Sequence, residues 1–216
     1  MGEFEKTAYN RVKRIPQRGK YDREAVYEVL DSHFMCHASY IFEDTAISIP
    51  TAYGRMEDTI YLHGAVKNRM LDSILAATKA SLTITHLDGL VLARSVFHHS
   101  MNYRSAVVFG TPRLVDDPEE KMHALECITE NIIAGRWDEA RIPNEKEFKA
   151  TKVVALDITE ASAKIRIGPP KDEEEDYAMD VWAGVLPISH SIGEPISDPD
   201  GKPEIEASDV VRNFEL

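Results

Sequence analysis

The sequence has only two cysteines, Cys36 and Cys127, among 216 residues. A disulfide framework and a four-thiolate zinc site are both excluded. No apolar run approaches the roughly 18 residues that a membrane helix needs. Residues 1–20 contain no apolar stretch of the kind a secretory signal carries, so a cytoplasmic home is the default expectation. There is no excess of positive charge: 25 basic residues face 37 acidic ones, a net charge of −12. Nucleic-acid binding, which needs a positive surface for phosphate contact, is not expected.

What charge there is lies unevenly. Residues 1–20 hold six basic and two acidic residues, and from Lys171 onward three basic residues stand against thirteen acidic ones. The head reads as a solvated basic arm over 1–20. A folded domain is expected over 21–188, and an acidic, poorly ordered tail over 189–216.

Inside the domain, hydrophobic periodicity and turn residues divide the chain. Asp22 caps a short helix carrying Val26, Val29 and Leu30. Strands follow over 33–41, 46–53 and 59–63. Pro50 places the second of these at a sheet edge or a bulge. In the third, Ile60 and Leu62 share one face, and Tyr61 and His63 the other. Asn68 opens a second helix. Strands over 81–86 and 90–96 flank a Leu87-Asp88-Gly89 turn, and 102–115 forms a long strand. Asp117, Pro118 and Glu120 start the best helix signal with a capping box, and Gly135 stops it. Two last strands span 152–158 and 162–167. Strands joined mostly by turns predict a mainly β fold: an antiparallel, Greek-key-like barrel with peripheral helices.

Nucleophilic and metal chemistry find little support. Cys36 and His37 are strand neighbours and point to opposite faces. No Gly-x-Ser-x-Gly elbow occurs. His33 and His37 share a face but lie about 13 Å apart, and no His-Glu-x-x-His set appears, so no metal site is expected. A haem held by one histidine leaves no spacing to read.

Phosphate chemistry is better supplied. Tyr61 to Arg69 ends a strand, turns and opens a helix, whose free N–H groups favour an anion. Lys67 and Arg69 add charge and Asn68 an amide; the alternative is two ordinary exposed cations beside a turn. A second cluster, Tyr103, Arg104 and Ser105, offers two hydroxyls on one strand face and a guanidinium on the other. It suits a polar ligand, or else an ordinary core tyrosine and surface arginine.

These pieces together resemble the pyridoxamine 5'-phosphate oxidase-like flavoproteins, in the branch that includes the nitroimidazole-resistance proteins. The marks are Ile49-Pro-Thr-Ala-Tyr53, Ile60-Tyr-Leu-His-Gly-Ala65, Asn68-Arg69, Asn102 to Gly110, Gly135-Arg-Trp137, Lys164-Ile-Arg166 and Trp182 to Pro187. The resemblance spans residues 10–187. It implies an FMN-binding split barrel and a homodimer with FMN at the subunit interface. Ile49, Pro50, Thr51 and Ala52 would then run beside the flavin ring, and His63 and Gly64 along the ribityl chain. Asn68 and Arg69 would hold the phosphate, although relatives often have Arg-Lys or Gly-Lys there. Arg104 and Ser105 match positions facing the flavin, and Trp182 would cover the ring from the partner. The expected activity is FMN-dependent oxidation–reduction of a small molecule with NAD(P)H as electron source; the alternative is a non-enzymatic flavin- or haem-binding module. Oxidases of vitamin B6 phosphate use basic residues near the C-terminus. The acidic stretch here points instead to a neutral or cationic substrate of quinone or nitroaromatic type.

Overall fold

The computed structural model describes residues 2–202 and 204–215; the outermost residues of the expected arm and tail, and Pro203, lie outside that set. Nine strands form one antiparallel sheet. Strands β1 (Gly19–Lys20), β2 (Met35–Phe42), β3 (Thr45–Ala52), β4 (Gly54–Met56) and β5 (Thr59–Ala65) come first. Long strands β6 (Ala80–Leu92), β7 (Ser100–Leu114) and β8 (Thr151–Arg166) follow, then β9 (Gly184–Pro187). The order is β3-β2-β6-β7-β8-β5-β4, with β1 on β8 and β9 on β6. The predicted mainly β, antiparallel architecture is thus what the chain adopts.

Local chemistry explains the elements. Helix α1 (Arg23–Asp31) is capped by Asp22, whose carboxylate accepts from Ala25 N at 2.9 Å. The β2–β3 hairpin turns through Glu43 and Asp44, both at positive φ, as a two-residue hairpin loop requires. β3 lies at the sheet edge, which suits Pro50. Helix α2 (Arg69–Ala76) starts after Asn68, and α3 (Pro118–Ile132) after Asp117.

Several expectations change. Leu87-Asp88-Gly89 is no hairpin turn. β6 runs through it, and the register slips by one residue there. The turn-like residues make a bulge. The two strands predicted over 152–158 and 162–167 are one, β8, with a second slip opposite Gly110. A Cβ on Gly110 would lie 2.4 Å from the Asp157 carbonyl oxygen, so only glycine fits that crossing. At α3, Asp117 caps Glu120 N at 2.8 Å. The Glu120 carboxylate does not return the bond; it binds Arg113 and the Tyr61 hydroxyl. The reciprocal capping box belongs to an unpredicted helix. That helix follows the short α4 (Arg136–Glu139) and is α5 (Glu145–Ala150), started by Asn144 and Glu147. The basic head is not solvated throughout. Phe4 is buried, and the Asn10 amide donates to the Glu5 and Ala161 carbonyls. Beyond β9 the described residues carry one further helix, α6 (Asp209–Arg212), whose capping Ser208 also donates to Glu139.

Two cores lie on the two faces of β5. Ile60 and Leu62 pack inside the barrel with α1 and α2, whereas Tyr61 packs under α3. Gly54 lets α3 approach: a Cβ there would sit 2.7 Å from the backbone of Cys127 and Ile128. Gly54→Ala should therefore cost about 1–3 kcal/mol through overpacking. The readout is a lowered urea midpoint at unchanged slope.

Candidate functional site

The end of β3 and the start of α2 face each other across a cleft of about 370 Å³. Ile49, Pro50, Thr51, Asn68, Arg69, Met70 and Tyr40 line it. Local chemistry sets each side. The Asn68 side-chain Oδ1 accepts from Leu71 N at 3.2 Å. This cap fixes the helix start and commits that oxygen. Gly64 lies beneath: a Cβ there would meet the Asn68 amide nitrogen at 2.6 Å. Arg69 stacks over the Phe42 ring, 4.5 Å to its centroid. Among the described residues no carboxylate pairs with it. The cleft therefore joins an uncompensated guanidinium and a helix start to an edge strand with unpaired backbone groups.

Other predicted site residues lie elsewhere. Ala52 packs on the α3 core, and Lys67 is exposed outside the cleft. His63 leaves the face that Gly64 occupies, because successive strand residues point oppositely. Its ring enters a second pocket of about 340 Å³, lined by Leu125, Ile128, Ile132, Trp137 and Arg141 among others. His63 Nδ1 is buried there with no hydrogen-bond partner. Burial pushes its pKa down, so the neutral imidazole dominates at pH 7. Arg104 is not free for a ligand: its guanidinium makes a bidentate pair with Asp88, the residue at the β6 bulge. Ser105 donates to the Lys164 carbonyl at 3.3 Å. Tyr103 lies opposite Arg166 on β8. Trp182 is exposed and packs along Gly184. None of these four borders the cleft.

Two residues with no assigned role also emerge. Tyr40 is buried in the cleft wall, and its hydroxyl has no partner. Trp137 shares the His63 pocket. Its motif is visible in the sequence, but nothing there tells which way the ring points.

Comparison with known proteins places the chain in a family. Residues 22–165 match the family profile described as pyridoxamine 5'-phosphate oxidase. The chain belongs to that family. Its structure superposes on the flavocytochrome Anf3 from Azotobacter vinelandii with a TM-score of 0.91 and 35% identity, covering 97% of this chain and 98% of the other. A FAD- and haem-binding protein from Mycobacterium smegmatis gives 0.86 and 32%, covering 92% and 97%. A protein assigned to 5-nitroimidazole antibiotic resistance from Bacteroides thetaiotaomicron gives 0.57 at 19% identity, covering 68% and 86%, and so shares the fold. No curated protein matches. As in other members of the pyridoxamine 5'-phosphate oxidase family, the sheet is a split barrel. No helix among the described residues is long and apolar enough to cross a membrane.

Proposed function

We propose that this chain is a flavin-dependent oxidoreductase that also carries a haem. The observation that carries the flavin reading is the cleft joining Ile49–Thr51 to Asn68 and Arg69. Arg69 would grip the phosphate of the FMN moiety through parallel charged hydrogen bonds, and the Asn68 amide N–H group would add another. Gly64 keeps that approach open. Strand β3 would meet the ring with backbone groups on its free edge, Pro50 contributing only its carbonyl. Bound flavin supplies hydride and single-electron transfer, and the protein's part is orientation and electrostatics.

A specific observation favours the haem. Burial keeps the His63 imidazole neutral, its buried Nδ1 has no hydrogen-bond partner, and its side chain lines a pocket with Leu125, Ile128 and Trp137. Neutral imidazole is the form that ligates iron. The related flavocytochrome and the FAD- and haem-binding protein support the same reading. Bound haem supplies one-electron chemistry at its iron.

A homodimer completes the picture. By strand register, Met35 and Ile41 on β2, Leu87 on β6 and Met101 on β7 expose apolar side chains on one sheet face. A second copy docked there would bring Tyr103, Ser105 or Trp182 toward the first copy's cleft. NAD(P)H is the electron source in this reading. The acceptor is a neutral or cationic molecule of quinone or nitroaromatic type, since the acidic tail repels anions. The test is reconstitution with flavin and haemin followed by NADPH. Bleaching of the flavin band with reduction of the haem band is the expected result. A protein that takes up neither group, or keeps both oxidised under NADPH, contradicts the assignment.

A further inference from the structure

One face of the sheet gathers cations without gathering carboxylates. On β7 and β8, Tyr103 stands opposite Arg166, and Ser105 opposite Lys164. Residues directly opposite on neighbouring strands point to the same side, so these four share a face. Strand β1 extends it, because Gly19 pairs with Lys164. Arg18 immediately precedes Gly19, and its charge is near enough to add to burial in lowering the Arg166 pKa. Among the described residues none of Arg18, Lys164 and Arg166 pairs with a carboxylate. The first two acids that follow in the chain are committed elsewhere: Asp172 accepts from the Arg94 and Ser95 N–H groups, and Glu173 lies 3.6 Å from His98.

Arg166 is the anomaly at the centre, only 9% exposed. Its guanidinium donates to the Asn102 side-chain oxygen, and to the Gly168 and Pro169 carbonyls at 3.1 Å each. All three acceptors are neutral, and the buried Nε has no partner. A buried guanidinium with no anion beside it is unfavourable, and the like charge of Arg18 adds to the cost. A bound anion offsets both. The carbonyls fix Arg166 in place, whereas Arg18 and Lys164 are half-buried and still reach solvent. So does the Tyr103 side chain, whose hydroxyl has no partner among the described residues.

We propose that this patch docks the phosphates of the nicotinamide dinucleotide that serves as electron source, and that it selects NADPH over NADH. Arg18 and Lys164 bind the phosphate oxygens, the Tyr103 hydroxyl donates to one of them, and Arg166 is a fixed charge behind them. The patch crosses β7, β8 and β1, about 10 Å, which is room for a pyrophosphate and a second phosphate. Its three cations exceed the two charges of a pyrophosphate, and a 2'-phosphate monoester supplies the balance. On a chain of net charge −12, an anionic donor needs such a local field to dock. The patch also flanks the apolar face proposed for the dimer, since Leu87 is the neighbour of Tyr103 on the β6 side. The inference rests on NAD(P)H as the electron source.

The experiment is isothermal titration calorimetry of the full chain with NADP+ and with NAD+, which cannot give up a hydride, so binding is read apart from turnover. The unaltered protein should bind NADP+ roughly tenfold or more tightly than NAD+. Arg18→Ala and Lys164→Ala should each weaken NADP+ by about tenfold or more, the loss of one charge-assisted hydrogen bond. Lys164→Arg, which keeps the charge, should retain most of the affinity. FMN titrations of the same proteins should be superimposable. Equal affinity for NADP+ and NAD+ in the unaltered protein overturns the inference, as do alanine variants that bind NADP+ like the unaltered protein. Inorganic pyrophosphate binding as tightly as NADP+ overturns it too, in favour of a site for free phosphates. NADPH and NADH reducing the protein equally well, with no preference in binding, leaves the electron source standing and removes the patch. The expected NADP+ binding in a protein that stays oxidised under NADPH does the reverse.

Discussion

Arg69→Ala should weaken flavin nucleotide binding by about 1.5–3 kcal/mol, or roughly 10- to 150-fold in Kd. The size follows from what the side chain lacks. Among the described residues no carboxylate shares its charge, and its guanidinium is held over Phe42 at the cleft wall. Its charge is therefore available to a phosphate. The loss should be specific: riboflavin, which has no phosphate, should bind both proteins alike. Raised salt should also reduce the gap between FMN and riboflavin, because an exposed charge pair is screened. The fold should survive, since Arg69 is exposed at a helix start whose cap is Asn68. An unchanged FMN affinity in a folded Arg69→Ala protein would remove the phosphate site.

His63→Ala should abolish the Soret band while leaving flavin content unchanged. The two groups are assigned to opposite faces of β5: Gly64 faces Asn68, and His63 faces Trp137 and α3. A single substitution should therefore separate them. The imidazole is neutral and its Nδ1 is unbonded, so no internal contact compensates for its loss. Adding free imidazole to the alanine protein should restore part of the haem spectrum, because the small cavity left behind admits a ring of that size. A purely structural role for His63 would lower stability and give no imidazole rescue. Retention of the full Soret band would assign the iron ligand to another residue.

Much of the fold could be read from the residues. Asp22, Asn68 and Asp117 mark helix starts because capping is local chemistry, whereas Gly135, read as the stop of α3, opens α4 instead. Pro50 marks an edge because it cannot donate to a ladder. The failures were also physical. The bulges in β6 and β8 resemble turns in sequence, and only pairing with β7 shows that the strands continue. The site was legible where it is contiguous: Ile49–Thr51 and Asn68–Arg69 do meet in one cleft. It was not legible where a partner decides. Arg104 looks free until the β6 bulge brings Asp88 to it. His63 is the instructive case. The alternation of Ile60, Tyr61, Leu62 and His63 already put His63 beside Tyr61 and away from Gly64. His63 and Gly64 therefore point to opposite faces of β5. Tyr40 gave no signal, since an orphaned hydroxyl exists only once its neighbours are in place.

The central claim is that a flavin phosphate is anchored at the start of α2. A crystal structure of protein saturated with flavin tests it directly. The account predicts phosphate density within hydrogen-bond distance of the Arg69 guanidinium, with the ring along Ile49–Thr51. A nucleotide bound elsewhere, with Arg69 facing solvent, would contradict it.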